Sequence, residues 1–205
     1  MAKATFLALG DSYTIGEGVD EADRWPVQLV ARLGANGVAV EAPRIVATTG
    51  WTTDELSAAM DAATLDNRYD LVTLLIGVNN QYRGRATAEY REQFVALLRR
   101  AVAFAGDPRR VVVVSIPDWG VTAFAEGRDR AAIARDIDAF NAIAREETLR
   151  EQARWADVTP ASRAAGAKPD MLVDDGLHPS GRQYAAWLEA ILPETTAALA
   201  VRLHA

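Results

Sequence analysis

The sequence contains no cysteine and only two histidines among its 205 residues. The absence of cysteine excludes disulfides, a thiolate nucleophile and cysteine-ligated metal, so any nucleophile must be an oxygen or nitrogen atom. An imidazole base can come only from His178 or His204. Since chain ends fray, the penultimate His204 is poorly placed for precise chemistry, and His178 is the better candidate.

Positive charge is also scarce, because 22 Lys and Arg stand against 28 Asp and Glu, for a formal net charge of −6. No stretch concentrates basic residues, which makes nucleic acid and anionic membranes poor partners. No run approaches the roughly 18 apolar residues of a membrane span, and no long apolar signal region begins the chain. The sequence as given predicts a cytoplasmic protein without membrane insertion, unless a signal segment has been removed. It leaves the oligomeric state open.

Short apolar runs alternate with helical patterns along the chain. The runs predict five strands, at residues 4–9, 43–48, 71–76, 110–115 and 155–158. This alternation predicts an α/β fold, a three-layer α/β/α sandwich around a mainly parallel sheet of about five strands. No repeat, charged linker or low-complexity tract divides the chain. Residues 1–205 are therefore expected to form a single domain.

Polar residues follow the first three strands at their carboxyl ends, where open α/β sheets bind ligands. Ser12 follows the first strand, Gly50 the second and Asn79 the third, and a loop before the last helix carries Asp175 and His178. Each residue alone has a plainer interpretation. The serine can cap a helix, the glycine can serve a turn, and the asparagine can bond its own backbone.

Four blocks in this order resemble those of the SGNH, or GDSL-type, hydrolases. They are Gly10-Asp11-Ser12, Gly50, Gly77-Val78-Asn79-Asn80 and Asp175-Gly176-Leu177-His178-Pro179. Each block is weak by itself, but four in the required order after successive strands are specific, and they span nearly the whole chain. The resemblance implies a flavodoxin-like fold, hydrolysis of ester or thioester bonds in small molecules, and no cofactor.

The resemblance also implies roles for individual residues. Ser12 corresponds to the nucleophile, His178 to the base and Asp175 to the acid that orients it. The backbone N–H groups of Ser12 and Gly50 and the side-chain amide of Asn79 correspond to the oxyanion hole. These roles fit the chemistry, since a serine hydroxyl needs a base and the developing oxyanion needs donors.

Several competing assignments are weaker. Asp174 is the rival of Asp175, and the family spacing D-x-x-H selects Asp175. One histidine beside two acids is an incomplete metal site, so no metal is expected. Thr14 stands where a Gly-x-Ser-x-Gly elbow requires glycine. The segment Thr14-Ile15-Gly16-Glu17-Gly18 is too glycine-rich for a helix and predicts a loop. No phosphate-binding Gly-x-Gly-x-x-Gly motif can be traced through Gly10, Gly16 and Gly18.

Two residues depart from the family blocks: Tyr13 stands where the name-giving block has leucine, and Asn80 where the third block usually has aspartate. The second departure leaves open how Asn79 is oriented. The loop aromatics, among them Trp51, Tyr82 and Trp119, are interpreted as packing residues.

The favoured function is hydrolysis of small acyl esters, of short-chain or O-acetyl type, through an acyl-enzyme on Ser12. The alternative within the same family is a thioesterase or lysophospholipase. A non-catalytic carbohydrate-binding protein on the same fold is a weaker third possibility.

Overall fold

The computed structural model describes residues 3–66 and 68–201. His204, the histidine set aside as a candidate base, lies outside these residues. The strands are β1 (Phe6–Gly10), β2 (Arg44–Ala47), β3 (Leu71–Leu75), β4 (Val111–Val114) and β5 (Arg154–Ala156). They form one sheet in the order β2-β1-β3-β4-β5, and every neighbouring pair is parallel. This is the flavodoxin-like order, so the predicted fold class is confirmed.

Burial of the strands follows their position in the sheet. Every residue of β1, β3 and β4 is buried, whereas the edge strands β2 and β5 are partly exposed. Parallel strands covered by helices on both faces require such continuous apolar runs. The valines of β4 also favour the extended backbone because branching at Cβ restricts their side chains.

Helices cover both faces of the sheet. They are α1 (Ser12–Ile15), α2 (Trp25–Ala35), α3 (Thr53–Ala62), α4 (Val78–Tyr82), α5 (Thr87–Ala105), α6 (Arg130–Arg150), α7 (Thr159–Ala165) and α8 (Gly181–Leu199). Helices α2 and α8 pack together on one face, and α5 packs between α3 and α6 on the other. Across residues 3–66 and 68–201, no helix combines the length and the apolar character needed to cross a bilayer.

The spacings Thr52-x-x-Glu55 and Ser180-x-x-Gln183 predict the starts of two helices, and both helices begin there in the structure. The Glu55 carboxylate accepts a hydrogen bond from the Thr52 N–H at the start of α3, over 2.8 Å. The Ser180 hydroxyl accepts one from the Gln183 N–H at the start of α8. One local prediction was wrong, because the glycine-rich loop after Ser12 begins with the short helix α1, which extends to Ile15.

The sheet register brings three loops to one edge. Gly10 at the end of β1 pairs with Ala47 of β2 on one side and with Leu75 of β3 on the other. A Cβ atom at residue 10 would lie 2.2 Å from the Thr14 hydroxyl and 2.6 Å from the Leu75 carbonyl oxygen. Only glycine allows this close approach, and the segments that follow the three strands leave the sheet side by side.

Candidate active site

Ser12 is the first residue of α1 and follows β1 after a single intervening residue. That residue, Asp11, caps the helix, since its Oδ1 accepts a hydrogen bond from the Tyr13 N–H over 3.0 Å. The sharp change from strand to helix leaves Ser12 at the sheet edge, and its side chain lines a pocket there. The capping role that a serine often has at such a position is thus taken by Asp11.

Asp11 is fully buried beside this serine. Its Oδ2 has no hydrogen-bond partner within residues 3–66 and 68–201. Burial is the largest influence on the carboxyl group and raises its pKa from 3.8 to about 7. Hydrogen bonds from the backbone N–H groups of Tyr13 and Asp11 lower the pKa, but by less than burial raises it. The carboxyl group therefore carries its proton over much of the acidic range, where an ordinary aspartate is ionised.

His178 is carried by a closed loop before α8. An antiparallel bridge joins Leu172 to Pro179, and the Val173 N–H donates to the His178 carbonyl oxygen over 2.9 Å. This pairing brings residues 173 and 178 opposite each other, with Asp175 in the turn between them. The loop is held by backbone bonds rather than by apolar packing alone, which fixes where the imidazole emerges.

Asp175 accepts three hydrogen bonds within this turn, two of them from His178. Its Oδ1 accepts from the N–H groups of Leu177 and His178, over 2.8 and 2.9 Å, and its Oδ2 lies 2.5 Å from the His178 Nδ1. Partial burial favours the neutral acid, but the bonds from the side chain and backbone of His178 and from the Leu177 N–H outweigh it and lower the pKa of Asp175. An ionised carboxylate only accepts, so Nδ1 carries the proton and Nε2 remains available.

The rival acid Asp174 is exposed. Among the described residues it forms no hydrogen bond and no ion pair, whereas Asp175 contacts the imidazole directly. Within the same ranges, no three His, Asp or Glu side chains come together as a possible metal-binding group.

Tyr13, which replaces the leucine of the name-giving block, packs against the imidazole. Its ring centroid lies 5.7 Å from that of His178 and 6.0 Å from that of Trp187, tilted in both cases. The tyrosine is buried. It therefore links the histidine ring to the core on the side of α8, and the residue that departs from the family block contacts the candidate base.

Gly50 and Asn79 lie in the segments that follow β2 and β3. Gly50 occupies the turn before α3 with a φ of +87°, and Asn79 is the second residue of α4. The Asn79 Nδ2 donates a hydrogen bond to the Trp51 carbonyl oxygen over 2.9 Å. Neither the Gly50 N–H nor the Ser12 N–H donates to another residue in the part of the chain that the structure describes.

Asn80, which replaces the usual aspartate of the third block, does not orient Asn79 but bonds to Thr53. Its Oδ1 accepts from the Thr53 N–H over 3.1 Å, and its Nδ2 donates to the Thr53 hydroxyl over 2.7 Å. Asn80 is fully buried. It therefore fixes the start of α3 against α4, while the orientation of Asn79 comes from the Trp51 carbonyl and not from a neighbouring acid.

Arg83 is a residue of the site that was not selected from the sequence. Its Nη2 donates to the Gly50 carbonyl oxygen over 2.6 Å, and its guanidinium also pairs with Glu55. Asn79, Asn80 and Arg83 thus each bind one residue of the segment 50–53, and these contacts join α4 and the residue after it to that segment. No local motif encodes a contact between residues 33 positions apart.

The predicted residues Ser12, Gly50, Asn79 and His178 line one pocket of about 180 Å³, and Asp175 bonds the histidine from behind. In the described ranges the Ser12 hydroxyl forms no hydrogen bond, to His178 or to any other group. Bonds of this kind are often long without substrate and tighten in the reacting complex. The structure thus brings all five predicted residues together at the carboxyl edge of the sheet.

A comparison with protein families matches residues 8–186 to the family described as GDSL-like lipase/acylhydrolase. The chain belongs to the GDSL-like lipase/acylhydrolase family. It is therefore a carboxylic ester hydrolase, and the resemblance read from its four sequence blocks is confirmed. A comparison with curated protein sequences finds no match.

Solved structures of similar fold agree with this family. TesA is 24% identical with a TM-score of 0.74, over 95% of this chain and 99% of TesA. The lipase/acylhydrolase from Enterococcus faecalis is 19% identical with a TM-score of 0.75, over 98% and 100% of the two chains. Axe2, an acetylxylan esterase from Geobacillus stearothermophilus, is 18% identical with a TM-score of 0.71, over 98% and 96%. At these identities the likeness extends to the fold alone.

One wall of the pocket in this GDSL-like hydrolase is aromatic. Tyr82, Trp119 and Phe124 line it with adjacent rings. Trp119 is buried, in agreement with its interpretation as a packing residue, but Tyr82 and Phe124 are exposed. Phe124 was not selected from the sequence, since it lies in an irregular segment without periodicity.

Proposed function

We propose that this GDSL-like hydrolase cleaves small acyl esters, of short-chain or O-acetyl type, through an acyl-enzyme on Ser12. The observation that carries the proposal is the pairing of Asp175 with His178 at a pocket that Ser12, Gly50 and Asn79 also line. A serine hydroxyl, an oriented imidazole and three donors are the groups that acyl transfer requires.

In the first step, the Ser12 Oγ attacks the ester carbonyl carbon and its proton passes to the His178 Nε2. The Asp175 carboxylate accepts a hydrogen bond from the Nδ1–H group and stabilises the imidazolium that forms. When the tetrahedral intermediate collapses, the alcohol leaves with the proton from Nε2. Water then attacks the acyl-enzyme with His178 again as base, and the acid and free serine are released.

The oxyanion binds to the N–H groups of Ser12 and Gly50 and to the Asn79 amide. Support comes from the hydrogen bonding around them, because neither N–H is engaged elsewhere in the described chain. The Asn79 Nδ2 carries two hydrogens, and one of them is used by the Trp51 carbonyl. The other remains for the substrate. Donors fixed before reaction cost no reorganisation when charge develops.

The dimensions of the pocket favour a small substrate. Its volume of about 180 Å³ lies below the roughly 300–1,000 Å³ of typical sites for small molecules. A thioesterase or lysophospholipase would use the same chemistry on longer chains, for which this pocket offers less room. We further propose that residues 1–205 form a single domain of this type, because the family match and one sheet extend over most of it.

The experiment combines labelling with turnover. A serine-reactive phosphonate should add once per chain, on the peptide containing Ser12, and nitrophenyl esters should be hydrolysed fastest at short acyl lengths. Ser12→Ala should abolish both results, whereas the control Ser57→Ala, on α3, should change neither. Labelling elsewhere would refute the nucleophile, and a preference for long acyl chains or thioesters would refute the substrate size.

A further inference from the structure

Three aromatic rings form a continuous surface beside the candidate nucleophile. The ring centroids are 5.4 Å apart for Tyr82 and Trp119, 6.1 Å for Trp119 and Phe124, and 6.4 Å for Tyr82 and Phe124. All three line the pocket that Ser12 and His178 also line. We call these three residues the aromatic wall.

The aromatic wall leaves apolar surface open to solvent. Tyr82 is 47% exposed and Phe124 39%, and Leu149 is the other exposed large hydrophobic side chain in residues 3–66 and 68–201. Single exposed hydrophobics are ordinary, but adjacent ones at the mouth of a pocket mark a ligand-binding surface. The exposure of Tyr82 and Phe124 beside the pocket therefore indicates that they contact the substrate.

Hydrogen bonds and the Arg128 guanidinium hold the aromatic wall in place. The Trp119 Nε1 donates to the buried Gln81 Oε1 over 2.8 Å. The guanidinium carbon of Arg128 lies 5.1 to 5.5 Å from all three ring centroids, and Arg128 has no carboxylate partner among the described residues. The Phe124 N–H donates to the Gly176 carbonyl oxygen over 3.0 Å. A surface fixed in this way binds a ligand with little loss of side-chain entropy.

The polar groups around the pocket have other uses. Ser12, Gly50, Asn79 and His178 belong to the proposed chemistry, and the Thr49 hydroxyl is bonded to Glu17. The wall itself offers no carboxylate or amide that would bind the hydroxyl groups of a sugar ring. Its complement is a flat apolar group, and aromatic rings stack on such surfaces face to face with an offset or edge to face.

We propose that the aromatic wall is a subsite for an aromatic ring carried by the ester substrate, on its alcohol or its acyl part. The inference rests on the proposed function, because the ring must belong to an ester that reaches Ser12. It assigns Tyr82 and Phe124 as residues that determine specificity.

The test compares esters of equal reach that differ in aromaticity. Benzyl acetate is compared with cyclohexylmethyl acetate for a ring on the alcohol, and ethyl phenylacetate with ethyl cyclohexylacetate for a ring on the acyl group. The wild-type kcat/KM should favour the aromatic ester by about threefold to tenfold in one pair or both, since stacked rings gain energy beyond their buried area. The pair that shows the preference identifies which side of the ester contacts the wall.

Variants assign the preference to the wall. Tyr82→Leu and Phe124→Leu should bring the aromatic-to-saturated ratio close to one, whereas Tyr82→Phe, which keeps the ring, should retain it. Leu149→Ala is the matched control, because it removes the exposed hydrophobic side chain on α6 and should leave the ratio unchanged. A wild-type ratio near one in both pairs, or a ratio that survives Tyr82→Leu and Phe124→Leu, would overturn the subsite.

Failure of the subsite can be distinguished from failure of the proposed function. If the phosphonate labels Ser12 and ethyl acetate is hydrolysed while the ratio stays near one, only the subsite is refuted. If turnover is absent, calorimetric binding of N-benzylacetamide and N-(cyclohexylmethyl)acetamide gives the same comparison without chemistry. Equal affinity for the two amides then refutes the subsite, and tighter binding of the benzyl amide supports it.

Discussion

The side-chain amide of Asn79 donates one of its hydrogens to the backbone carbonyl oxygen of Trp51, over 2.9 Å. This bond joins α4, which follows β3, to the turn after β2, so the amide cannot rotate without losing a partner. The second Nδ2 hydrogen is thereby fixed in the amide plane. In a proposed oxyanion hole this fixed direction has a measurable consequence for kcat.

Asn79→Ala should lower kcat by about 10²–10³ and change KM much less, because the lost donor acts mainly on charge that develops in the transition state. Steady-state kinetics on a short-chain ester measures both constants. The control is Asn80→Ala, which leaves the buried Thr53 N–H without its partner and should lower the free energy of unfolding by about 1–3 kcal/mol. An effect of Asn79→Ala confined to KM would make it a substrate-binding residue instead.

Asp175→Asn should lower kcat steeply, by about 10⁴ if it behaves as the corresponding change does in the serine protease triad. The amide oxygen can still accept from the backbone N–H groups of Leu177 and His178, which places the amide nitrogen against Nδ1 and favours the wrong imidazole tautomer. The exposed Asp174 offers the matched control, and Asp174→Asn should remain near wild type. The assignment fails if Asp174→Asn is the more damaging change.

Arg83→Met should lower kcat by about 10-fold to 10²-fold, because the Gly50 turn loses the hydrogen bond to its carbonyl oxygen and small displacements of catalytic groups are costly. Arg85→Met is the control, since Arg85 pairs with Asp54 and Glu89 and makes no contact with Gly50. Thermal unfolding of both variants shows whether stability changes equally. Equal kcat values for the two variants would exclude a positioning role for Arg83.

Asp11→Asn should change how stability depends on pH. Because burial raises the pKa of Asp11 from 3.8 to about 7, the folded state retains a proton that the unfolded state loses between these values. The stability from this group is complete below pH 3.8 and is lost as pH rises through about 7, by an amount on the order of 4 kcal/mol. Asparagine at residue 11 keeps the hydrogen bond from the Tyr13 N–H. Because its amide does not titrate, the variant does not lose this stability as the pH rises.

Urea unfolding at pH 5 and pH 8 measures the effect. Wild type should lose stability between the two values by more than Asp11→Asn does, and the variant should be the more stable protein at pH 8. The difference between the two pH dependences isolates Asp11 from every other titrating group. Parallel pH dependences in the two proteins would show that Asp11 is ionised normally in the fold.

Features that depend on neighbouring residues could be predicted from the sequence, whereas contacts between distant segments could not. The valine-rich run of β4 and the three-residue spacing of Asp175 and His178 depend on near neighbours, and both predictions match the structure. The bonds of Arg83 to Gly50 and of Asn80 to Thr53 join segments about 30 residues apart. Such contacts depend on the sheet register, which no short pattern encodes.

The helix at Ser12 shows the opposite case, in which a local signal misled. The glycines at 16 and 18 indicated a loop, yet one helical turn fits before Gly16 because Asp11 supplies the cap. Phe124 could not be selected for a different reason. Its position beside Tyr82 arises from the irregular segment after β4, where neither the helical nor the strand period applies.

The bond between the Phe124 N–H and the Gly176 carbonyl oxygen connects the aromatic wall to the turn that holds Asp175 and His178. Gly176 has a φ of +68°, and a Cβ atom there would lie 3.3 Å from the Cβ of Ala123. Grafting a foreign sequence onto residues 119–128 to alter substrate choice would therefore also disturb the base. Redesign of this enzyme should keep the backbone at residues 123 and 124 and vary only the side chains that project from it.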